Sequence, residues 1–422
     1  MVTTDSNSPQ NAPILAADGM PLKKKLSRAL FRSRVRAVGL VMPLLAFILA
    51  SFVFPILALM WQGVYNDRFE SFAPNLTEQL SIWDGVSAPT EEMFAALATD
   101  LKIARKEKTI GRIATRVNQE LPGARSLFTS SARKVKRAKP PYSDSMVKIN
   151  KKWKKLEVWQ AMKLTSQSLT PAFYATSLDY KYTVDRGFVE QVENRQIYTK
   201  LFWRTFVISG TVMAICLLLG YPVAYLLATL PLRYSNLLMI MVLLPFWTSL
   251  LVRTTAWIAI LQSQGVINDF FVWIGITADD SRFSLIYNMT GTIIAMSHIL
   301  LPFMILPLYS VMKTIPPSYM RAARSLGATP TRAFIKVYMP QTIPGVGAGG
   351  LLVFILAIGY YITPALVGGQ DGTLISNMIA YHMQKSLNWS LAAALGGVLL
   401  AGVLLLYWAY DRIIGIDNMK LG

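Results

Sequence analysis

Six stretches of this chain, at about 37–62, 201–229, 236–261, 289–312, 343–367 and 389–410, are almost wholly apolar, and polar segments separate them. A backbone in hydrocarbon must satisfy its own N–H and C=O groups, so apolar runs of roughly 20 residues predict membrane-spanning helices. The first run is too long for a signal peptide and is not followed by a small-residue cleavage site, so it reads as a retained anchor. Residues 1–36 before it are polar and then basic, with a disordered segment expected over 1–20. Residues 63–199 contain no run long enough to cross a membrane and read as a partly helical insertion. The pattern predicts a helix over 91–121, starting after Thr90 and ending at Pro122-Gly123, and another over 144–166 with Asp144 as a cap.

The loop at 313–341 has its own internal design. Pro316 and Pro317 end the preceding run and favour a new helix, because proline fits the first turn, where its missing N–H is not needed. A short helix is expected over 318–326, capped by Gly327, which reaches positive φ cheaply. Thr329 then reads as an N-cap and Pro330 as a first-turn residue for a second helix over roughly 330–338, which Pro340 stops. Two short helices joined at a glycine make a compact knob. Ala322 and Ala323 keep one side of it small enough for a partner to approach closely.

Composition narrows the class. Of 422 residues 53% are hydrophobic and 15% charged, which describes an all-α polytopic membrane protein. The net charge of +19 does not point to nucleic acid. Much of it is topogenic: Lys23, Lys24, Lys25, Arg28, Arg32, Arg34 and Arg36 precede the first run, and Lys313, Arg321, Arg324, Arg332 and Lys336 fill the knob loop. The loops at 262–288 and 368–388 carry one basic residue each, Arg282 and Lys385. Cytoplasmic loops are enriched in Lys and Arg, so both termini and the 313–341 loop are expected in the cytoplasm and 63–199 outside. The remaining charge lies in 63–199, in runs such as Arg133-Lys134-Val135-Lys136-Arg137 and Lys151-Lys152-Trp153-Lys154-Lys155. Such a segment rests on anionic headgroups or caps a binding protein, and the first alternative fits charge alone better. Cys216 has no partner for a disulfide. No Gly-Lys dipeptide occurs, so there is no P-loop, and HExxH, CxxC and GxSxG are absent. Enzyme chemistry, a metal and a cofactor are not expected.

Residues 321–340, RAARSLGATPTRAFIKVYMP, resemble the EAA loop of importer-type ABC transporter permeases: Glu-Ala-Ala, three residues, Gly, nine residues, Ile, one residue, Leu-Pro. Arg321 stands where the family carries glutamate, which reverses the charge at that position. The wider similarity covers 200–412, about half the chain, and there the chain most resembles the spermidine/putrescine-type permease subunits. It is carried by LLLGYPVAYLLA at 217–228, LLPFWTSLLVRTTAWIAIL at 243–261, QGVIN at 264–268, LPFMILPLYSVM at 301–312, PGVGAGGLLVFILAIGYYITPALVGG at 344–369 and Asn388-Trp389. The long 63–199 insertion is not part of that pattern.

The resemblance implies a permease core over 200–412 with a short tail, 413–422. It implies a second permease subunit, a pair of ATP-binding subunits and a solute-binding protein outside an inner membrane, with membrane lipid around them. Residues expected to meet the ATPase are Arg321, Ala322, Ala323, Ser325, Leu326, Gly327, Ala328, Pro330, Phe334 and Pro340. Gly345 and Gly349 have the spacing of a close helix contact, which serves either sliding or static packing. Arg253 lies inside the third run, where a charge faces the bundle interior or water, or else snorkels to headgroups. With Trp247, Tyr360 and Tyr361 it is expected along the solute path, where aromatic faces suit a cation. Trp257 reads as packing or a belt residue and His298 as a hydrogen bonder between helices. None of the six runs contains an Asp or Glu, which weighs against a polycation finding its counter-charge in this subunit. The expected solute is a polyamine, with an opine, an amino-acid derivative or another organic cation as alternatives. A stand-alone secondary transporter would need embedded carboxylates and inverted repeats. A membrane anchor would leave the ordered motifs unexplained.

Overall fold

The computed structural model describes residues 22–414. The disorder expected over 1–20 and most of the 413–422 tail lie outside that range. The chain divides into two compact units, Met1–Leu59 and Met60–Gly422.

The first unit is one helical run. It begins at Leu22, so residues 22–36 are helical rather than part of a disordered terminus. It passes through a π turn, Leu49–Val53, where the Phe54 N–H bonds the Leu49 carbonyl five residues back. The next residue is Pro55, which has no N–H to offer and whose ring crowds the carbonyl four residues before it. Widening the turn by one residue relieves that conflict without ending the helix.

Among the described residues, five helices are long and apolar enough to span a membrane, and a bent pair supplies a sixth. The second span, Tyr198–Thr229, the fourth, Met289–Thr314, and the helix Ile343–Gly359 pack together as the membrane core. Met304 of the fourth span lies between two glycines. A β-carbon on Gly349 would sit 2.9 Å from Met304 Sδ and 3.0 Å from its carbonyl oxygen, and one on Gly220 would sit 3.3 Å from Met304 Cγ. Gly345 meets the fourth span in the same way at Val311 and Leu308. The Gly345–Gly349 spacing is therefore a close helix contact. Gly349→Ala is expected to cost about 1–3 kcal/mol through overpacking. A lower thermal inactivation midpoint for the purified variant would register it. Cys216 is buried in the same core, with its thiol donating to the Ser297 carbonyl at 3.3 Å.

Two of the expected spans are broken. The run at 236–261 is a helix, Leu232–Leu243, a single 3-10 turn, Leu244–Trp247, and a new helix from Leu250 to Leu261. Pro245 sits in the tight turn, and the Ser249 side chain caps the new helix by accepting from the Val252 N–H. That helix resumes as Val266–Trp273 after a four-residue break to complete the third span. Asn268 orders the break: its amide donates to the Gln262 and Phe283 carbonyls, and its oxygen accepts from the Phe283 N–H. The run at 343–367 stops at Gly359 and restarts as Ile362–Val367.

The insertion is more than partly helical: it folds around its own core of aromatic and aliphatic side chains drawn from residues 69–162. The chain enters and leaves it side by side. The Asn66 N–H bonds the Ser168 carbonyl at 2.7 Å, and the Thr170 N–H bonds the Val64 carbonyl at 2.8 Å. The helix expected over 91–121 is two, Glu91–Lys106 and Ile110–Glu120, turned at Lys108, whose φ is +60°. Thr90 caps the first as expected. The helix expected over 144–166 is split into Tyr142–Ile149, a 3-10 turn at Lys151–Lys154 and Leu156–Ser166. Asp144 lies in the first turn and is not the cap. Each basic run carries a buried centre. Val135 and Trp153 are fully buried, while the Lys and Arg on either side of them are exposed. The alternation places the charge on the surface and anchors it through one apolar residue per run.

The Trp153 indole donates to Ser131 Oγ, and the Trp159 indole donates to the Trp153 carbonyl. Asp100 is buried and accepts from Asn75 Nδ2 and the Leu76 N–H at the start of the helix Pro74–Ile82, and burial raises its pKa above the usual carboxylate value. A cation–aromatic contact ties the domain to the segment leading into the second span. The buried guanidinium of Arg116 pairs with Glu120 at 2.9 Å and lies 4.8 Å from the centre of the Phe173 ring. Asp179, just before a short hairpin of Tyr180–Thr183 with Gly187–Glu190, caps the second span by accepting from the N–H groups of Ile197, Tyr198 and Thr199. A carboxylate there satisfies orphan donors and suits the positive end of the helix dipole.

Candidate functional site

The knob forms largely as its sequence dictates. Pro317–Ser325 is a helix with proline in its first turn. Gly327 follows at φ +88°, and its N–H and that of Ala328 close onto the Arg324 and Ala323 carbonyls, a glycine C-cap of Schellman type. Thr329 caps the next helix by accepting from the Arg332 N–H. The expected stop at Pro340 does not occur. The chain widens into a π turn, Phe334–Tyr338, where the Met339 N–H bonds the Phe334 carbonyl, and it stays helical through Pro340 to Gln341. This is the device seen before Pro55. The helix then bends by 59° into Ile343–Gly359. Knob and span are one bent helical rod, continuous through the backbone.

The knob presents Arg321, Ala322, Ser325, Leu326, Gly327 and Pro330 to the outside, with Leu326 at 89% exposure. Ala323 and Ala328 are half-buried, and Pro340 is exposed. Phe334 faces inward. It stacks on Tyr338 at 5.5 Å and meets Tyr225 edge-on at 5.4 Å and Tyr221 at 6.3 Å, both from the second span. The Tyr221 hydroxyl shares a 3.0 Å hydrogen bond with Thr342 at the bend. Tyr221, Tyr225, Tyr338 and Thr342 escaped the sequence reading. The available signal was two aromatic pairs four residues apart, which share a helix face.

The second feature is the break after Gly359. Pro364 has no N–H to return to the Tyr360 carbonyl four residues back. Instead Ser376 Oγ donates to the Tyr360 carbonyl at 2.6 Å, and Asn377 Nδ2 donates to the Tyr361 carbonyl at 2.7 Å. Thr363 shares a hydrogen bond with Thr254 of the third span. Non-helical backbone at membrane depth persists only inside protein or along a cavity. Arg253, one residue before Thr254, has a buried Nε without a hydrogen-bond partner among the described residues. The Trp257 indole donates to His298 Nδ1 at 3.1 Å, so His298 is a hydrogen bonder between helices, as expected. Arg253, Tyr360 and Tyr361 thus belong to one region around the break. Trp247 is 73% exposed and has no ring or hydrogen-bond partner among the described residues.

Comparison with known proteins decides the family. Residues 217–414 match the model of the binding-protein-dependent transport system inner membrane component. The spermidine/putrescine transport system permease protein PotB of Escherichia coli K12 is 34% identical over 241 residues, covering 54% of this chain and 87% of the relative. The chain belongs to this family of ABC importer permeases. The PotB protein of Haemophilus influenzae is 35% identical, covering 53% of this chain and 78% of its own. A solved bacterial alginate ABC transporter in complex with a pentasaccharide-bound periplasmic protein is similar at 18% identity and a TM-score of 0.43, over 53% of this chain and 80% of that one. The permease is a multi-pass inner-membrane transport subunit, and its family implies an ATPase subunit, a partner permease and a binding protein.

Proposed function

We propose that this permease carries a polyamine, spermidine or putrescine, across the inner membrane, delivered by a solute-binding protein and driven by a pair of ATPase subunits that grip the knob. The observation that carries the coupling role is the continuity of the exposed knob with the fifth span through a helical bend, locked to the second span by the Phe334–Tyr338–Tyr225 rings. ATP hydrolysis belongs to the separate subunit. The ATPase contact set is Ala322, Ala323, Ser325, Leu326, Gly327, Ala328 and Pro330 with Arg321 at its edge, Phe334 relaying to the second span and Pro340 to the bend. The knob and both termini face the cytoplasm, and the helical domain between the first two spans lies outside. The path runs past Arg253, Tyr360 and Tyr361 at the helix break, with Trp247 on the same subunit.

The polyamine rests on the names of the relatives. One observation favours another organic solute of the same importer, an opine, an amino-acid derivative or a different organic cation: the six apolar runs hold no carboxylate, Asp269 near the end of the third span is paired with Arg282, and Arg253 is the embedded charge near the break. Uptake of labelled spermidine and putrescine in cells lacking the gene, with and without the gene restored, separates the two. Uptake that falls and recovers supports the polyamine. Uptake that never changes, in cells with no second polyamine system, removes it.

A further inference from the structure

Between the knob and the ends of the second and fourth spans lies a cleft of about 840 Å³. Lys313, Arg321 and Arg324 line it, together with Met320, Phe334 and Tyr338. No Asp or Glu lines it, and residues 313–341 contain five cations and no acid. Among the described residues neither arginine has an ion-pair partner, and the Lys313 ammonium reaches one carbonyl, that of Ala228, at 3.5 Å. The fourth group is the most telling. Tyr338 is only 6% exposed, yet its hydroxyl has no hydrogen-bond partner. A buried hydroxyl left unmade costs free energy that a bound acceptor would recover.

We propose that this cleft binds the phosphate of an anionic phospholipid headgroup. Three cations and a free hydroxyl around one volume fit a tetrahedral anion, and arginine forks suit phosphate oxygens. The depth is right for a headgroup, because the cleft is walled by Ala228 and Thr229 at the end of the second span and by Met312 and Lys313 near the end of the fourth. Ile315, Met320 and Phe334 offer apolar surface to the glycerol and upper acyl chain. Basic pockets between spans on the cytoplasmic side are where such headgroups bind. The inference rests on the proposed cytoplasmic placement of the knob. It also gives Arg321 a role: with the family's glutamate at that position the cleft would carry opposed charges. A lipid seated there would brace the knob against the span ends and make coupling sensitive to the anionic content of the leaflet.

The test uses the full chain assembled with its partner subunits, purified with mixed phosphatidylglycerol and phosphatidylcholine, and reads retained lipid by native mass spectrometry. Preferential retention of phosphatidylglycerol is expected, weakened about fivefold for each cation neutralised in a Lys313→Gln, Arg321→Gln and Arg324→Gln series. Should the combined variant fail to insert, Tyr338→Phe keeps every charge and is expected to weaken retention alone. Equal retention of the two lipids overturns the proposal. Stabilisation by inorganic phosphate alone, with no lipid preference, assigns the site to free phosphate and also overturns it. Variants that keep the lipid but release the ATPase subunit mean that the cleft receives an acidic side chain instead, which overturns it too. Lipid retention does not depend on uptake, so it stands or falls separately from the polyamine assignment.

Discussion

Replacing Gly327 with leucine is expected to lower solute uptake by about tenfold or more while leaving the chain in the membrane. Nothing lies within 4 Å of the position a β-carbon would take, so the side chain itself fits. The difficulty is the backbone, held at φ +88°, where an L-residue pays roughly 1–2 kcal/mol. Relaxing to negative φ breaks the hydrogen bonds from Gly327 and Ala328 to Arg324 and Ala323 and swings the second half of the knob away from the first. Phe334 and Tyr338 then lose their seats on Tyr225, and the bent rod no longer receives what the ATPase delivers. A strain of about 1.4 kcal/mol is already a factor of ten in an equilibrium between two arrangements. Uptake, ATP hydrolysis and membrane content measured on the same cells check it. The expected pattern is normal membrane content, persisting hydrolysis and little transport. Loss of the chain from the membrane, or normal uptake, would count against the knob as the point of coupling.

The second large effect lies far from the knob. Trp153→Ala is expected to destabilise the helical domain by about 3–5 kcal/mol. Trp153 is fully buried, and its indole bonds Ser131. Its ring meets Phe128 edge-on at 5.3 Å and Trp159 at 6.2 Å. Its carbonyl also accepts from the Trp159 indole, so the residue is held through both its side chain and its backbone. The flanking lysines are exposed, and Lys154→Ala is expected to change stability by less than about 0.5 kcal/mol. Limited trypsin digestion of the purified permease discriminates the two. The tryptophan variant should be cut rapidly within the 133–155 region, and the lysine variant no faster than the parent. Equal resistance of both would mean that the packing around Trp153 is not what keeps the domain closed.

The spans and the knob were legible because their causes are local. Length and apolarity locate a helix in hydrocarbon, and Pro317, Gly327 and Thr329 act within a few residues of themselves. Breaks within spans were not legible, and proline shows why. Pro222, Pro302 and Pro307 sit inside intact helices, whereas Pro245 and Pro364 accompany breaks. The residues around them do not separate the two outcomes. At the break after Gly359 the partners are distant in sequence: Ser376 and Asn377 donate to the Tyr360 and Tyr361 carbonyls, and Thr254 fixes Thr363 from another span. The path region of the candidate site was therefore readable as a set of residue types and not as a broken helix. The buried centres of the insertion's basic runs were not legible either. The sequence shows charge directly and shows Val135 and Trp153 only as interruptions, although those two residues fix the runs to the core.

The adjacent openings of the helical domain also bear on engineering. Val64 and Thr170 are hydrogen-bonded across the point where the chain departs and returns, so more than a hundred residues hang from a gap one backbone hydrogen bond wide. Such a geometry suits a cassette, because closely spaced entry and exit points let a module be exchanged without moving the chain on either side. A protein engineer has the freedom to exchange it at 66 and 168 for a reporter, an affinity handle or a few glycines.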